Sequence, residues 1–162
     1  MRVLNWILAG IVLLAVAGVV GAQFGLMRGV APKDLGVHGG RLKPPSSSPN
    51  SVSSQAGLWP EHPQRSAAQI APLALQGDGP ATLARIRAIV QAMPGATVVT
   101  DRPDYLYAQF ETRWMKYVDD AEFWFDPAAQ VVQVRSASRI GRKDFGTNRE
   151  RIEAIRSALQ QR

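Results

Sequence analysis

The first 27 residues constrain this chain most, because the run from Val3 to Met27 has no charged side chain and is interrupted only by Asn5 and Gln23. As an α-helix this run would extend roughly 37 Å, at about 1.5 Å per residue, whereas the hydrocarbon core of a bilayer is about 30 Å thick. A core helix of a soluble protein would need a polar face, which the run lacks. The sequence therefore predicts a transmembrane anchor over residues 1–27.

A cleaved signal peptide is the alternative interpretation of the same residues. Arg2 provides a basic start, Leu4 to Leu14 an apolar stretch, and Ala15-Val16-Ala17 a small-residue cleavage site. The apolar run continues beyond that site to Met27, which favours a retained anchor. Lys and Arg residues after the run favour a cytoplasmic carboxyl side, whereas the very short tail before it is typical of an exported domain.

Positive charge is unevenly distributed along the chain. The formal net charge is +6, made up of +4 over residues 1–77, −3 over 78–134 and +5 over 135–162. The acidic middle part opposes nucleic-acid binding, which depends on phosphate contacts, whereas Lys and Arg beside a membrane attract anionic lipid headgroups. Cysteine is absent, which excludes disulfides and cysteine-ligated zinc, and we predict neither a metal site nor a cofactor.

The remaining residues are enough for one domain. We predict a linker over residues 28–40 and a single domain over 41–162, whose first part (41–78) is extended because it is rich in proline and serine. Part of this segment should lie along the domain, held by four apolar side chains: Leu58, Trp59, Ile70 and Leu73.

The pattern after residue 79 predicts a helix, four strands and a second helix. Gly79-Pro80 begins the first helix, and Thr147-Asn148-Arg149-Glu150 matches a capping box that begins the second. Apolar residues recur at helical spacing in both helices and alternate in the strands. This order predicts an α+β fold: a small antiparallel four-stranded sheet with two helices on one face, preceded by the transmembrane helix.

The apolar pattern of the last two strands predicts how they pair, because a slip of one residue would turn every side chain to the other face. Apolar pairs form when Phe125 lies opposite Val132 and Phe123 opposite Val134. The same register places Asp119 opposite Ser138 and pairs Glu122 with Arg135 on the other face. Tyr105, Tyr107 and Trp124 would share that second face, which we expect the 41–75 segment to cover.

The register also places a polar cluster, Asp119, Ser136 and Ser138, at one end of the helix-covered face. We interpret it as a hydrogen-bonded network that docks the last helix. A functional interpretation is an anion site at the start of this helix, because amide groups and basic side chains bind anions there. Its candidate residues are Arg139, Arg142, Lys143, Asn148 and Arg149.

Catalysis is not predicted, and no catalytic residue is assigned. Asp120 and Glu122 share a strand face roughly 6.6 Å apart, but we expect this face to be solvated, with Glu122 paired to Arg135. His38 and His62 lie in the proline-rich region, and the chain contains no Gly-x-Ser-x-Gly motif. The alternative is a small hydrolase or isomerase that uses Asp119, Ser136 and Ser138.

Three motifs in the later part of the chain resemble the signature of the domain-of-unknown-function family 1499 (DUF1499). They are Glu122-Phe123-Trp124-Phe125-Asp126, Val134-Arg135-Ser136-Ala137-Ser138-Arg139 and Asp144-Phe145-Gly146-Thr147-Asn148-Arg149. The segment Ser48 to Ala56 is similar to the family's Ser-Pro-Asn-Cys-Val-Ser-Ser element. The resemblance covers most of residues 40–160 and implies that 48–56 belongs to the domain, but it implies no activity.

The resemblance also implies a compartment. Members of the family are bacterial and plastid proteins, and a cysteine pair usually flanks the Ser-Pro-Asn element. Pro45 and Ser51 stand at the matching positions here. Loss of both cysteines together implies that they form a disulfide in the relatives, which is typical of an oxidising compartment. We therefore expect an envelope protein in the inner membrane of a bacterium, with its domain on the periplasmic side.

Taken with the anchor, these features predict a membrane-anchored, non-catalytic binding or assembly domain. Its expected partners are the membrane, through anionic lipid headgroups, and a further protein.

Overall fold

An N-terminal apolar helix precedes the folded domain in the computed structural model of this chain, which describes residues 2–161. Helix α1 (Arg2–Gln23) has 22 residues and a mean hydropathy of 2.5, and none of its most apolar window is buried. It is long and apolar enough to span a membrane, and a signal sequence would meet the same criteria.

The domain is built on one antiparallel sheet of six strands in the order β1-β6-β5-β4-β3, with β2 also paired to β6. The strands are β1 (Ser51–Ser53), β2 (Leu73–Ala74), β3 (Ala96–Asp101), β4 (Tyr105–Glu111), β5 (Val118–Asp126) and β6 (Val131–Ser138). Strands β1 and β2 pair with successive parts of the same edge of β6.

The prediction of four strands is therefore wrong in number. The two additional strands, β1 and β2, come from the segment rich in proline and serine and contain three and two residues. Strands this short cannot show the alternation by which strands are recognised in a sequence. They form because the outer edge of β6 would otherwise leave its backbone groups unpaired.

Two long helices cover one face of the sheet, as predicted. They are α3 (Gly79–Gln91) and α4 (Thr147–Gln160). The predicted helix count is too low, because the four-residue helix α2 (Arg65–Ala68) and a 3₁₀ turn (Ala56–Leu58) are also present. Helix α3 begins with Pro80 in its first turn, and the Asp78 carboxylate accepts a hydrogen bond from the Ala81 N–H at 2.7 Å.

The capping-box prediction at the start of α4 is wrong. Thr147 is the first helical residue, and Gly146 precedes it with a left-handed φ of 92°. The Asp144 carboxylate instead accepts hydrogen bonds from the backbone N–H groups of Asn148, at 3.0 Å, and Gly146, at 3.2 Å. Because the Gly146 backbone turns the chain back on itself, Asp144 can reach the first turn of the helix.

The hydrophobic core lies between the two long helices and the sheet. Its fully buried members include Ile86, Val90, Phe123, Ile152 and Ile155. The predicted register of β5 and β6 is confirmed, with Phe125 opposite Val132, Phe123 opposite Val134 and Asp119 opposite Ser138.

The second face of the sheet is covered by residues on the N-terminal side of β1. Leu42 is buried against Tyr105 and Tyr107, and the side chains of Leu35 and Val37 pack beside them. Of the four side chains expected to hold the 41–75 segment, Ile70 and Leu73 are buried, Trp59 is half-buried and Leu58 is exposed.

Candidate functional site

Asn148, in the first turn of α4, is the centre of a buried polar network. Its Nδ2 lies within hydrogen-bond distance of the Asn50 main-chain oxygen, at 3.1 Å, the Ser138 Oγ, at 3.1 Å, and the Asp144 carboxylate, at 2.9 Å. The Asn50 oxygen also accepts the Ser138 N–H at 3.0 Å. The element preceding β1, the end of β6 and the start of α4 therefore meet at one side chain, which is fully buried.

Arg151, also on α4, links this network to the sheet. Its guanidinium donates to the Asp119 carboxylate at 2.6 Å, to the Asn148 Oδ1 at 2.7 Å and to the Ser136 Oγ at 3.0 Å. It also lies over the Phe110 ring, 4.4 Å from the centroid. The Asp119–Arg151 ion pair is about nine-tenths buried on both sides. We call Asn50, Asp119, Ser136, Ser138, Asp144, Asn148 and Arg151 the helix-docking network.

The structure brings the predicted cluster of Asp119, Ser136 and Ser138 into this one network. Arg151 was not among the predicted residues. Its spacing indicates that it shares a helix face with Asn148, three positions earlier, but not that it pairs with Asp119. The Ser136 hydroxyl donates to the Asn148 Oδ1 and is fully buried. The Ser136 hydroxyl is therefore closed to substrate, whereas Ser138 is half-buried, accepts a hydrogen bond from the Asn148 amide and lines a cavity with Asp119 and Asp144.

The five candidate anion-binding residues do not converge. Arg139 lies on the opposite sheet face, bound to Asp120. Arg149 donates to the main-chain oxygens of residues 67 and 69, at 3.0 and 2.8 Å, and so joins the C-terminal end of α2 to α4. Asn148 belongs to the helix-docking network. Arg142 and Lys143 remain exposed in the loop before α4.

The environment of the Asp144 carboxyl, at the start of α4, favours its ionised form. Burial by itself would raise its pKa, but hydrogen bonds from the Asn148 backbone and side-chain amides and from the Gly146 N–H outweigh that effect. Its pKa therefore lies below the ordinary value for aspartate. The negative charge also matches the partial positive charge of the helix terminus.

A second group of charges lies on the other sheet face. We predicted that this face is solvated, but its charged side chains are buried. Glu122 is 0% exposed and Asp120 is 1% exposed. Arg139 binds Asp120 with two donors, at 2.7 and 2.9 Å, and the Tyr107 hydroxyl donates to the same carboxylate at 2.6 Å. The face is buried because residues 33–44 cover it, so only the first residues of the 41–75 segment take part in the coverage that was expected of that segment.

The Glu122–Arg135 pair lies beside it, as the register predicted. The Tyr105 hydroxyl and the Gly36 N–H both donate to the Glu122 Oε1 at 2.8 Å, while the Arg135 Nη1 lies 3.6 Å from the Oε2. The last two atoms have no hydrogen-bond partner within residues 2–161. Burial raises the pKa of the Glu122 carboxyl and lowers the pKa of the Arg135 guanidinium, so each charge depends on the other.

Helix α1 joins the domain at the end of the sheet where β4 and β6 finish. The Gln23 side-chain amide donates to the Trp114 main-chain oxygen at 2.8 Å, and Arg28 pairs with Glu111 at 3.0 Å. Gly29, with a φ of +67°, passes so close to residues 139–140 that a Cβ would lie 2.8 Å from their side chains. We call residues 23–29, the β4–β5 loop (112–117) and the β6–α4 loop (139–146) the anchor-side end.

Large aromatic side chains project from both loops of the anchor-side end. Phe145 is 92% exposed, Trp114 is 64% exposed and Tyr117 is 40% exposed. Phe145 also has a φ of 53°, an uncommon conformation for a bulky residue. A cavity of about 400 Å³ is lined by Met27, Tyr117 and Phe145, and also by Asp119, Ser138 and Asp144 of the helix-docking network. A groove of about 760 Å³ on the other side of the β4–β5 loop is lined by Met93, Phe110, Arg113 and Lys116, among others.

The two ends of the sheet differ in charge. The loops 112–117 and 139–146 contain five Lys or Arg residues and one Asp. At the opposite end, the turns and their flanking residues (101–104 and 126–130) contain three Asp and one Arg. The basic end is the one to which α1 is joined.

Within residues 2–161, no group of three or more His, Cys, Asp or Glu side chains could hold a metal ion. Neither a curated protein nor a solved structure matches the sequence. The sequence pattern of one family does match, over residues 41–159, which is most of the chain and includes both buried polar clusters. The chain therefore belongs to the family described as "Protein of unknown function (DUF1499)".

Proposed function

We propose that this chain is a single-span membrane protein of the bacterial envelope whose domain is a non-catalytic binding or assembly module held at the membrane surface. The observation that carries the proposal is the junction between α1 and the domain. Gln23 and Arg28 contact the β4–β5 loop and Glu111 directly, so no long flexible linker separates the apolar helix from the sheet.

The buried polar clusters support a structural role better than a catalytic one. Every member of the Asp119, Ser136 and Ser138 cluster is engaged by Arg151, Asn148 or a strand partner. A hydrolase or isomerase built on this cluster would need a serine hydroxyl free to attack a substrate, whereas the Ser136 side chain is 0% exposed and the half-buried Ser138 hydroxyl is held by the Asn148 amide at 3.1 Å. The exposed side chains of Arg142 and Lys143 are available for binding a partner.

An exported domain is the second part of the proposal. It is supported by the resemblance to the family, in which the positions that match Pro45 and Ser51 usually carry cysteines. Both positions are ordered here, since Pro45 is buried and the Ser51 hydroxyl accepts the Ser46 N–H at 2.8 Å. A pair of cysteines flanking this tight segment would close a short loop, which suits an oxidising compartment.

Anchoring is tested by expressing the full chain in a bacterium and extracting the membranes at alkaline pH. The expected result is that the chain stays in the membrane pellet and that its intact mass includes residues 1–17. A mature chain that begins near Gly18 and is released by extraction would establish a signal peptide and overturn the anchor.

The side of the membrane is tested with a single cysteine, because the natural chain has none. Ala129→Cys places a thiol in the exposed β5–β6 turn. A membrane-impermeant maleimide should label it in intact spheroplasts. Labelling only after lysis would place the domain in the cytoplasm, and wild-type chain is the matched control for background labelling.

A further inference from the structure

The anchor-side end is an interaction surface for the membrane itself. We propose that it docks on the bilayer that holds α1, with Trp114 and Phe145 in the interfacial layer and with Arg113, Arg142 and Lys143 bound to anionic lipid headgroups. This inference rests on the proposed anchoring of the chain by α1, and it adds a specific surface and a ligand class to that function.

The position of Trp114 relative to α1 is the first argument. Gln23 is the last residue of the helix, and its side-chain amide donates to the Trp114 main-chain oxygen at 2.8 Å. A helix of 22 residues has about the length of the hydrocarbon core, at about 1.5 Å per residue. Its last residue therefore lies at the membrane interface, and the β4–β5 loop is brought to the same depth.

The exposed aromatic residues are the second argument. Trp and Tyr are enriched at membrane interfaces, where an amphipathic ring is partly apolar and partly hydrated. Trp114 and Phe145 are 64% and 92% exposed, although they lie 31 residues apart in two loops that flank the same helix end. Large apolar side chains gathered on one exposed surface mark an interaction site. Here the bilayer is the apolar phase nearest to them.

Charge is the third argument, and it selects anionic lipids. Of the five Lys or Arg residues in the anchor-side loops, Arg139 is paired with Asp120 and Lys116 with Glu111, which leaves Arg113, Arg142 and Lys143 as the basic groups of this end, whereas the opposite end of the sheet is acidic. Arg142 and Lys143 are exposed, and Arg113 lies 5.1 Å from the centre of the Trp114 ring. An anionic membrane would attract the anchor-side end and repel the opposite end. The charges therefore turn the same end of the domain toward the membrane as the connection to α1 does.

The test uses the full chain, spin-labelled at single cysteines and reconstituted in vesicles of phosphatidylcholine with phosphatidylglycerol. The accessibility of each nitroxide to oxygen and to a water-soluble nickel complex reports whether it lies in lipid or water. Phe145→Cys should be lipid-accessible, and Ala129→Cys, at the opposite end of the sheet, should be accessible to nickel. Val12→Cys, in the middle of α1, reports insertion of the anchor.

The three labels separate the possible failures. A lipid-accessible Val12 label with a water-exposed Phe145 label would overturn the docking surface and leave the anchor in place. A water-exposed Val12 label would overturn the anchor itself. A Phe145 label shielded from both reagents would show that protein covers this end, and would also overturn lipid docking. Unchanged circular dichroism of each labelled variant verifies that it has folded.

The headgroup contact has its own test. Replacing Arg142 and Lys143 with Gln should lower the equilibrium constant for docking, as reported by the Phe145 label, about 25-fold. Each basic residue near an anionic surface contributes about fivefold to this constant. The matched control, Arg65→Gln with Arg85→Gln, removes the same charge from exposed sites elsewhere. An equal effect of both pairs, or docking that is the same in pure phosphatidylcholine, would overturn the assignment of anionic headgroups.

Discussion

The side-chain amide of Asn148 donates to the main-chain oxygen of Asn50, at 3.1 Å, across 98 residues of sequence. This contact joins the helix-covered face of the sheet to the segment that enters β1. Because Asn148 also contacts Ser138 and Asp144, one buried amide fixes three parts of the chain in a single geometry.

Removing this amide should destabilise the domain strongly. Asn148→Ala is expected to lower the free energy of unfolding by about 3 kcal/mol, because it leaves several buried polar groups without partners. Chemical denaturation of the detergent-solubilised full chain measures the change. Ser157→Ala, at an exposed site on the same helix, is the control and should change stability by less than about 0.5 kcal/mol. A loss at Asn148 no larger than the control would contradict the central role of the network.

The same measurement discriminates a structural Asp119 from a catalytic one. Asp119→Asn leaves the buried Arg151 charge without a counter-ion, so we expect a loss of about 3 kcal/mol. Catalytic residues are often held at a cost to stability, and their replacement commonly stabilises the fold. A variant as stable as the wild type would revive the hydrolase or isomerase alternative. Glu153→Gln is the matched control, because the Glu153 side chain is 49% exposed in its ion pair with Arg156.

The buried Glu122–Arg135 pair should show strong coupling in a double-mutant cycle. Each single change, Glu122→Leu or Arg135→Met, leaves one buried charge uncompensated and is expected to cost about 3–5 kcal/mol. The double change should cost clearly less than the sum, because no unpaired charge remains. Additive losses would mean that each group is satisfied independently of the other.

The Arg87–Asp101 pair is the control for this cycle. Its N–O distance of 2.8 Å is shorter than the 3.6 Å of the buried pair, yet both of its side chains are more than 40% exposed. Solvent screening should hold its coupling below about 1 kcal/mol. The comparison therefore separates the effect of burial from the effect of distance.

The sequence predicted what depends on local pattern and strand register. The alternation in β5 and β6 requires one pairing, so Glu122 opposite Arg135 followed directly. The period of the apolar residues likewise predicted α3 and α4, which cover one face. Recognition of the family succeeded for a related reason, because its motifs lie in these regular elements and in the helix-docking network.

What the sequence did not predict depends on contacts between distant segments. Strands β1 and β2 exist only because the edge of β6 is available, and their own residues carry no periodic signal. Burial of Glu122 depends on Gly36 and Leu42, more than 75 residues earlier, which cover the face. The choice of Arg151 as the partner of Asp119 depends on how α4 is rotated about its axis, which no local pattern determines.

Acid should weaken the start of α4 through Asp144. Its folded-state pKa lies below the ordinary value, so its carboxylate contributes stability above the unfolded pKa of about 3.9, and this contribution is lost as the pH falls through the folded value. Asp144→Asn should therefore be less stable than the wild type at pH 7, and the difference should shrink below pH 4. Denaturation curves at a series of pH values measure this.

The matched control for acid is Asp104→Asn, since the Asp104 side chain is 66% exposed. The difference between this variant and the wild type should stay small at every pH. A stability difference at Asp144 that does not change with pH would show that its hydrogen bonds, rather than its charge, stabilise the helix.

Replacing Gly79, at the start of α3, with alanine should destabilise the domain, although the same replacement usually stabilises helices. Helix propensity alone predicts a gain for Gly79→Ala, which would be about 1 kcal/mol in a helix interior and smaller at this first helical position. A Cβ at this buried position, however, would overlap the ring of Phe125, which lies on the helix-covered face of β5. We therefore expect a loss of about 1–3 kcal/mol from overpacking.

Shortening the opposing side chain should relieve that overlap. In the Phe125→Leu background the added methyl group has room, so Gly79→Ala should cost less there than in the wild type, and the two changes should be non-additive. Gly57→Ala is the control, because its Cβ would meet only the Gln69 side chain, at 3.8 Å, and it should be neutral or stabilising. Equal costs of Gly79→Ala in both backgrounds would show that the close packing of α3 on Phe125 is not what requires glycine.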